Sequence, residues 1–408
     1  MTGGPGVVVT GLGVVSPLGD DLEVFWRRLC SEEPRPTPHP HIRADLMQYQ
    51  HTYSVPSRSE TAPGLGRATS FALRATTAAL QDAGLSLGST DGPDGLAGPG
   101  GPGGPAGGRT GVVVGTATGD EDLLEDERSG GQAVSPLDRD VFGVTGHIAD
   151  RFHLTGPNAV VNTACSAGCH SLGLAGDLIL AGAADVMVAG GTDSVCRVAH
   201  AAFNQLRAVD PEACRPFDTG RKGTVYGEGA AILILESADH ARSRGATWYA
   251  ELKGTGQSAD AFHPTAPDPA GDQARTAIER ALRDAGLDPG DIDGVACHGT
   301  GTRLNDVTEA TSLAEVFGDR IDRIPVCAVK SQLGHSAGAS GAFSALVAAL
   351  ILRRRLFPPT ARLRDLDPDC PVRPLREATP MRPRNLLVSA YSFGGSNVAL
   401  ILGSGADD

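Results

Sequence analysis

The sequence predicts an α/β protein assembled from two βαβ-rich halves. Short apolar runs of strand length alternate with longer segments whose apolar residues recur at helical spacing. The alternation runs once through residues 4–240, breaks at a polar turn near 237–246, and restarts through 247–404. Each half offers five strand candidates and closes on a pair of apolar strands, which points to a duplicated unit around largely parallel sheet.

In the first half, VVVTG at 7–11 is a β-branched run that stops at glycine. FALRATTAALQDAGL at 71–85 spaces its apolar residues three and four apart, as a helix does. TGVVVG at 110–115 and AVVNTA at 159–164 are again short and β-branched, and SLGLAGDLILAGA at 171–183 returns to helical spacing. DVMVAGG at 185–191 and AAILILE at 230–236 are continuous apolar runs, the mark of strands covered on both faces. The second half repeats the order, with strands at 248–256, 294–299, 325–330, 385–392 and 396–403. Helical spacing falls at 272–287, 308–318 and 341–357. Two stretches stand apart. Residues 92–108 are nearly all Gly and Pro and read as a surface excursion, and residues 33–63, rich in Pro and His, read as a surface loop.

At 408 residues the chain is long enough for two or three domains or one large layered body. No run approaches the ~18 uninterrupted apolar residues of a membrane-spanning helix. The N-terminal MTGGPGVVVTGLG lacks the basic segment and apolar stretch of a signal peptide, so a cytoplasmic location is expected. A net charge of −13 argues against nucleic acid or an anionic membrane as partner. Eight cysteines lie scattered without metal-like spacing and are expected to be reduced thiols. His39, His41 and His51 share the 33–63 loop but give no metal motif, and no metal site is expected. Of 35 basic residues only Lys222, Lys253 and Lys330 are lysines, so each marks a place where a compact ammonium is worth considering.

NTACSAG at 162–168 sets Cys165 where a buried strand gives way to an apolar helix. Unpaired N–H groups at that helix start are expected to lower the thiol pKa, and the small neighbours leave room for a carbonyl. A lone cysteine in such a turn is more often structural than catalytic, and Cys169 one turn on reads as core. CHGTGTRLND at 297–306 puts His298 at a strand end. KSQLGHSAGASG at 330–341 puts Lys330 at another strand end and His335 just ahead of the last apolar helix. SFGGSN at 392–397 is a glycine-rich link able to bring backbone N–H groups close to a ligand. If the halves face each other, these strand ends converge on one cleft. A cysteine, two histidines and a lysine suit thioester chemistry.

NTACSAG, HGTGT, KSQLGH and SFGGSN, in this order and at these intervals, resemble the β-ketoacyl-acyl-carrier-protein synthases. The likeness is closest to the condensing enzymes of bacterial fatty acid synthesis and of dissociated type II polyketide systems. It extends from VVVTGLGVVSPLG at 7–19 through PFDTGRKGTVYGEGAA at 216–231 to the C-terminal strands. The resemblance implies a thiolase fold, with two pseudo-equivalent halves in five α-β-α-β-α layers, assembled as a dimer. It implies that Cys165 takes an acyl group from acyl carrier protein or coenzyme A. His298 and His335 would then hold the enolate oxygen left when malonyl-carrier protein loses CO₂. Backbone N–H groups of Cys165 and Phe393 would hold the tetrahedral oxyanion. Lys330 is implied as a supporting residue beside His335, paired with Glu309. Thr300 and Thr302 match positions that bind the phosphopantetheine arm, Phe393 a gate, and Asp260, His263 and Thr265 a second gating loop at 257–267. The implied partners are acyl carrier protein and a second subunit, either another copy or a chain-length-factor-like ketosynthase. No permanently bound cofactor is implied.

Departures from the family pattern are local. SAYSFGG stands where NSFGFGG is usual, which puts Tyr391 and Ser392 beside the gate, and Cys297 replaces an alanine. With the short 33–63 region and the 92–108 tract, these favour a specialised fatty acid or type II polyketide pathway. Two other functions stay open: an acyltransferase that does not elongate, recognisable by the lack of CO₂ release, and a non-catalytic chain-length-factor-like subunit. The latter usually lacks the active cysteine, so Cys165 with both histidines weighs against it. Carrier proteins are acidic, so docking calls for a local basic patch, with Arg207, Arg215 and Arg221 as candidates.

Overall fold

The computed structural model describes residues 6–39, 42, 47–56, 64–85 and 109–405. The 92–108 tract and His41 lie outside the described residues. Eleven strands form one sheet, which divides into two ranks of matching order. From its edge inward the first rank runs Asn158–Val161, Thr110–Gly115, Val186–Asp193, Gly229–Ser237 and Val7–Val15. The second rank, from the centre outward, runs Ala250–Ala259, Ser396–Gly403, Asn385–Tyr391, Gly294–Ala296 and Pro325–Cys327, capped by Arg373–Pro374. The ranks meet through three antiparallel residue pairs, Val7 with Leu252, Val8 with Glu251 and Val9 with Ala250.

Chain direction repeats as well. In each rank the three outer strands run parallel, and the next strand is antiparallel to both neighbours. The sheet is therefore mixed rather than largely parallel. In the second rank the reason is local: four residues join Asn385–Tyr391 to Ser396–Gly403, and so short a link permits only an antiparallel return.

Side chains alternating along each strand build three apolar layers. Val112, Val114, Val186, Val188, Ile232 and Ile234 face out onto the helices Arg67–Asp82 and Gly143–Phe152. Their neighbours Val113, Met187, Ala189, Leu233 and Leu235 face in, onto the helices Ala167–Leu180 and Ser340–Arg354. Leu386, Val388, Leu400 and Leu402 close that central layer from the second rank. Leu387, Ala399 and Ile401 point outward to the helices Asp272–Ala285 and Arg303–Phe317. The result is five layers, α-β-α-β-α. In Ser340–Arg354 every residue from Ser340 to Leu352 is buried, as a helix apolar on all sides requires. The segment Ala337–Arg354 is long and apolar enough to span a bilayer, yet 89% of it is buried inside the protein.

The two central helices touch near their N-termini. A Cβ on Gly168 would lie 2.8 Å from the Ala342 nitrogen, and one on Gly341 would lie 2.7 Å from the Cys169 sulfur, so both positions need glycine. Helices Leu22–Ser31, Glu121–Arg128, Gly143–Phe152 and Arg197–Gln205, with the short Ala238–Ser243 at the polar turn and Lys330–Leu333, complete the body and were not expected from periodicity. The 33–63 region is less superficial than its composition suggests. Thr37–Pro38 pairs with His51–Thr52, and His39, Tyr53 and Val55 are buried.

Candidate active site

Strand ends from both halves open on a cavity of about 450 Å³. Cys165, His298, His335, Thr300, Thr302 and Phe393 all line it. Glu309, Asp260 and Thr265 reach its wall, Lys330 sits directly behind His298, and His263 does not face it.

Ala164, with φ of 50°, bends the chain sharply after strand Asn158–Val161. Cys165 thus falls in a single 3-10 turn, Ala164–Ser166, that runs into helix Ala167–Leu180. Its side chain is almost fully enclosed, with the backbone amides of Phe393 and of Cys165 itself favouring the thiolate. Burial outweighs these amides and the nearby Lys330 charge and pushes the thiol up to about 11. The lowering expected from a helix start does not prevail, because the desolvated thiolate loses more than the turn returns.

His298 follows immediately on the strand Gly294–Ala296 and Cys297. Glu309, on helix Arg303–Phe317, accepts the N–H groups of His298 at 2.7 Å and Gly299 at 2.8 Å, and the Ser389 hydroxyl at 2.7 Å. Asp306 one turn earlier accepts from Thr300 and Gly301 at 3.1 and 3.2 Å. Two buried carboxylates thereby hold the Gly/Thr turn, and the Thr300 and Thr302 hydroxyls meet at 2.8 Å.

Lys330 approaches a different histidine from the one expected. Its Nζ lies 3.3 Å from His298 Nδ1 and donates to the His298 carbonyl. Among the described residues no ion pair joins it to Glu309, whose oxygens are occupied by amides and Ser389. An ammonium only donates, so His298 Nδ1 must offer its lone pair and the ring proton sits on Nε2. The rings of His298 and His335 stand edge to face, 5.7 Å apart. Burial first, then the Lys330 charge, holds both well below the ordinary histidine range, so both are neutral at physiological pH. His335 Nδ1 rests 2.9 Å from the Ser340 hydroxyl.

Phe393 stacks on Phe203, which in turn meets the edge of His335. The Gly394 amide donates to the Pro264 carbonyl, and the Asp260 amide to Gly395, so the two loops are fastened together. Asp260 also accepts from Asn397 at 2.6 Å, while His263 Nδ1 accepts the Thr265 and Ala266 amides within its own loop. Gly395, at φ of 77°, leaves no room for a Cβ, which would stand 2.8 Å from that of Asp260. Tyr391 presses its ring on His298 at 5.7 Å. Ser392 accepts from Ser166 at 3.3 Å and donates to the Ser396 carbonyl at 3.1 Å, which ties the Phe393 segment to the cysteine turn.

Of the basic candidates, Arg207 is exposed at the cavity mouth with Lys222 and Arg303. Arg215 is engaged by Asp210, and Arg221 is buried between Asp306 and Asp367, so these two hold loops rather than present charge. Sequence reasoning did not find Phe203, Ser340 or Asp193. Asp193 is fully buried and accepts from Thr116 Oγ1 and the amides of Ala117, Thr118 and Gly338, bridging the halves beside the site. Its place at the end of an apolar strand was a usable signal; Phe203 had none. Among the described residues no group of three or more His, Cys, Asp or Glu is arranged to hold a metal.

A duplicated five-layer body with a buried thiol and two neutral imidazoles where its halves meet defines a thiolase-fold acyl-transfer enzyme class. The chain belongs to the β-ketoacyl synthase family: residues 5–241 match its "Beta-ketoacyl synthase, N-terminal domain" and residues 249–364 its "Beta-ketoacyl synthase, C-terminal domain". It is 36% identical to the 3-oxoacyl-[acyl-carrier-protein] synthase 2 of Rhizobium meliloti (strain 1021), over 97% of this chain and 98% of that one. The solved ishigamide ketosynthase/chain length factor superposes with a TM-score of 0.86 at 35% identity, covering 99% of this chain and all of that one. A type II PKS ketosynthase, solved in complex with its acyl-carrier protein and bound to a hexaketide, superposes with a TM-score of 0.86 at 27% identity, covering 99% of this chain and all of that one.

Proposed function

We propose that this protein is a decarboxylative condensing enzyme, a β-ketoacyl-acyl-carrier-protein synthase of a specialised fatty acid or type II polyketide pathway. The observation that carries the reading is the pair of neutral, buried imidazoles beside Cys165. Cys165 sulfur attacks the acyl thioester, the pantetheine sulfur leaves, and the thiol proton travels to it. Because the thiol is protonated at rest, proton loss accompanies attack. Malonyl-carrier protein then loses its carboxylate as CO₂, and the electron pair of the broken C–C bond forms an enolate. Its oxygen accepts N–H bonds from His298 and His335, which as neutral rings donate without needing to titrate. The enolate carbon attacks the acyl carbonyl on Cys165. The resulting oxyanion rests on the Cys165 and Phe393 amides until the C–S bond breaks and the Cys165 sulfur departs, taking a proton from water to return to the resting thiol. Lys330 orients His298, Glu309 holds the turn under it, and Thr300 and Thr302 take the pantetheine amides. Phe393 gates the cleft, and Asp260, His263 and Thr265 shape the loop it moves against.

Substrates ride on the phosphopantetheine of an acyl carrier protein, which approaches the Arg207, Lys222 and Arg303 rim, and no cofactor is held permanently. The enzyme works in the cytoplasm as a dimer with a second copy or a chain-length-factor-like subunit, and its two halves divide between residues 240 and 247. The test is mass spectrometry of Cys165 after incubation with acyl-carrier proteins, followed by malonyl-carrier protein with CO₂ measured alongside product. Acyl-enzyme formation and one CO₂ per elongated product are expected, and Cys165→Ala should give neither acyl-enzyme nor elongation. A Cys165→Ala variant that still elongated would overturn the reading. Acyl transfer without CO₂ release would identify a non-elongating acyltransferase instead.

A further inference from the structure

His298 has its ring proton placed by a cation, whereas among the described residues no cation stands at the Nδ1 of His335. We infer that Ser336 and Ser340 form a hydroxyl relay that fixes the proton of His335 on Nε2, facing the cleft, with Ser340 as the positioning residue. The sequence brings the two together by way of a turn. Between His335 and the helix Ser340–Arg354 the chain makes a 3-10 turn, and Ala337, at φ of 42°, folds it back so that Ser340 lies against the ring. Ser340 Oγ stands 2.9 Å from His335 Nδ1 and 3.3 Å from Ser336 Oγ. All three side chains are at most 2% exposed, so solvent does not complete their bonding.

Each hydroxyl has a single proton and two lone pairs; were Ser340 to accept from both Nδ1 and Ser336, its own proton would have no acceptor among the described residues, which leaves two directions for the chain. If Ser336 donates to Ser340 and Ser340 to Nδ1, both hydroxyl protons have acceptors and the ring proton must sit on Nε2. If Nδ1 donates to Ser340 and Ser340 to Ser336, the Ser336 proton finds no acceptor among the described residues. A buried donor left without a partner carries its full desolvation penalty, so the first direction is favoured. A hydroxyl donating to Nδ1 also polarises the ring and strengthens the opposite N–H as a donor. Two unlike devices, Lys330 behind His298 and a serine pair behind His335, thus leave both rings presenting an N–H to the same space. The placement of the proton stands on geometry alone; its catalytic effect rests on the condensing reading above.

The test uses the full-length protein with ¹⁵N-labelled histidine, and His335→Asn assigns the His335 signals. A protonated Nε2 and an unprotonated Nδ1 are expected; a proton on Nδ1 overturns the inference, whatever reaction the enzyme performs. Ser340→Ala should lower CO₂ release and elongation together by about threefold to tenfold, the loss of one neutral hydrogen bond, and leave the rate of Cys165 acylation unchanged. Ser340→Cys, a weaker donor of similar size, should fall between. A folded Ser340→Ala variant that elongates like the wild type, or that loses acylation equally, also overturns the inference. If the wild type neither releases CO₂ nor elongates, the condensing reading fails while the spectrum still decides the relay.

Discussion

Alkylation of Cys165 by iodoacetamide, followed from about pH 6 to about pH 10, measures how far burial has moved its thiol. An ordinary thiol here would titrate at 9.0, and enclosure pushes this one up to about 11. At pH 8 the thiolate fraction is then about one in a thousand instead of about one in ten. A more basic thiolate is the better nucleophile, and with a Brønsted coefficient of about 0.4–0.5 this returns roughly eightfold. Alkylation at pH 8 should be roughly tenfold slower than at an ordinary thiol. Its logarithm should climb with a slope near one across the range, without a plateau. Lys330→Met removes a nearby charge that favours the thiolate and should slow the reaction further. Mass spectrometry of the peptide carrying Cys165 isolates the signal from the other seven cysteines, and Cys165→Ser supplies the blank. A plateau below about pH 8 would mean that the turn and Lys330 hold a preformed thiolate, and the account of proton loss during attack would be wrong.

Lys330→Arg puts a planar guanidinium where an ammonium is 1% exposed, so elongation should fall at least about tenfold. Wild-type turnover would show that orienting His298 needs no compact cation. Arg207→Glu should raise the apparent KM for acyl carrier protein several-fold and spare a small pantetheine thioester, and equal effects on both would move the docking surface elsewhere. Asp193→Ala leaves the Thr116 hydroxyl and the Ala117, Thr118 and Gly338 amides without their acceptor. Urea denaturation should show a loss of at least about 3 kcal/mol, and a loss below about 1 kcal/mol would deny the bridge its weight.

Strands and central helices were legible because burial on both faces leaves uninterrupted apolar runs such as AAILILE and ALVAALIL. Thr110–Gly115 begins and ends where its valine run and glycines put it. Short helices such as Glu121–Arg128 were not legible, since only Glu125 on that helix is buried and its acidic surface carries no apolar period. The motif residues were found because each sits near a strand end or helix start among glycines and small residues. Their partners were harder. The resemblance implied Lys330 beside His335, but its long side chain reaches His298, a residue 32 positions away. The thiol pKa was misread for a related reason: a sequence displays the helix start but not the enclosure around it.

The helix Ser340–Arg354 has a consequence for how the chain comes off the ribosome. The first five-stranded rank is fully synthesised about a hundred residues before this helix emerges, and until then the inward faces of Met187, Leu233 and Leu235 have only half their cover. The helix itself, apolar on every side, has no stable place in water before it docks. Newly made protein therefore passes through a stage with one sticky sheet face and, shortly after, one sticky helix. Only when the second copy of the unit closes over the first does either become safe from aggregation, so the halves complete each other in time as well as in space.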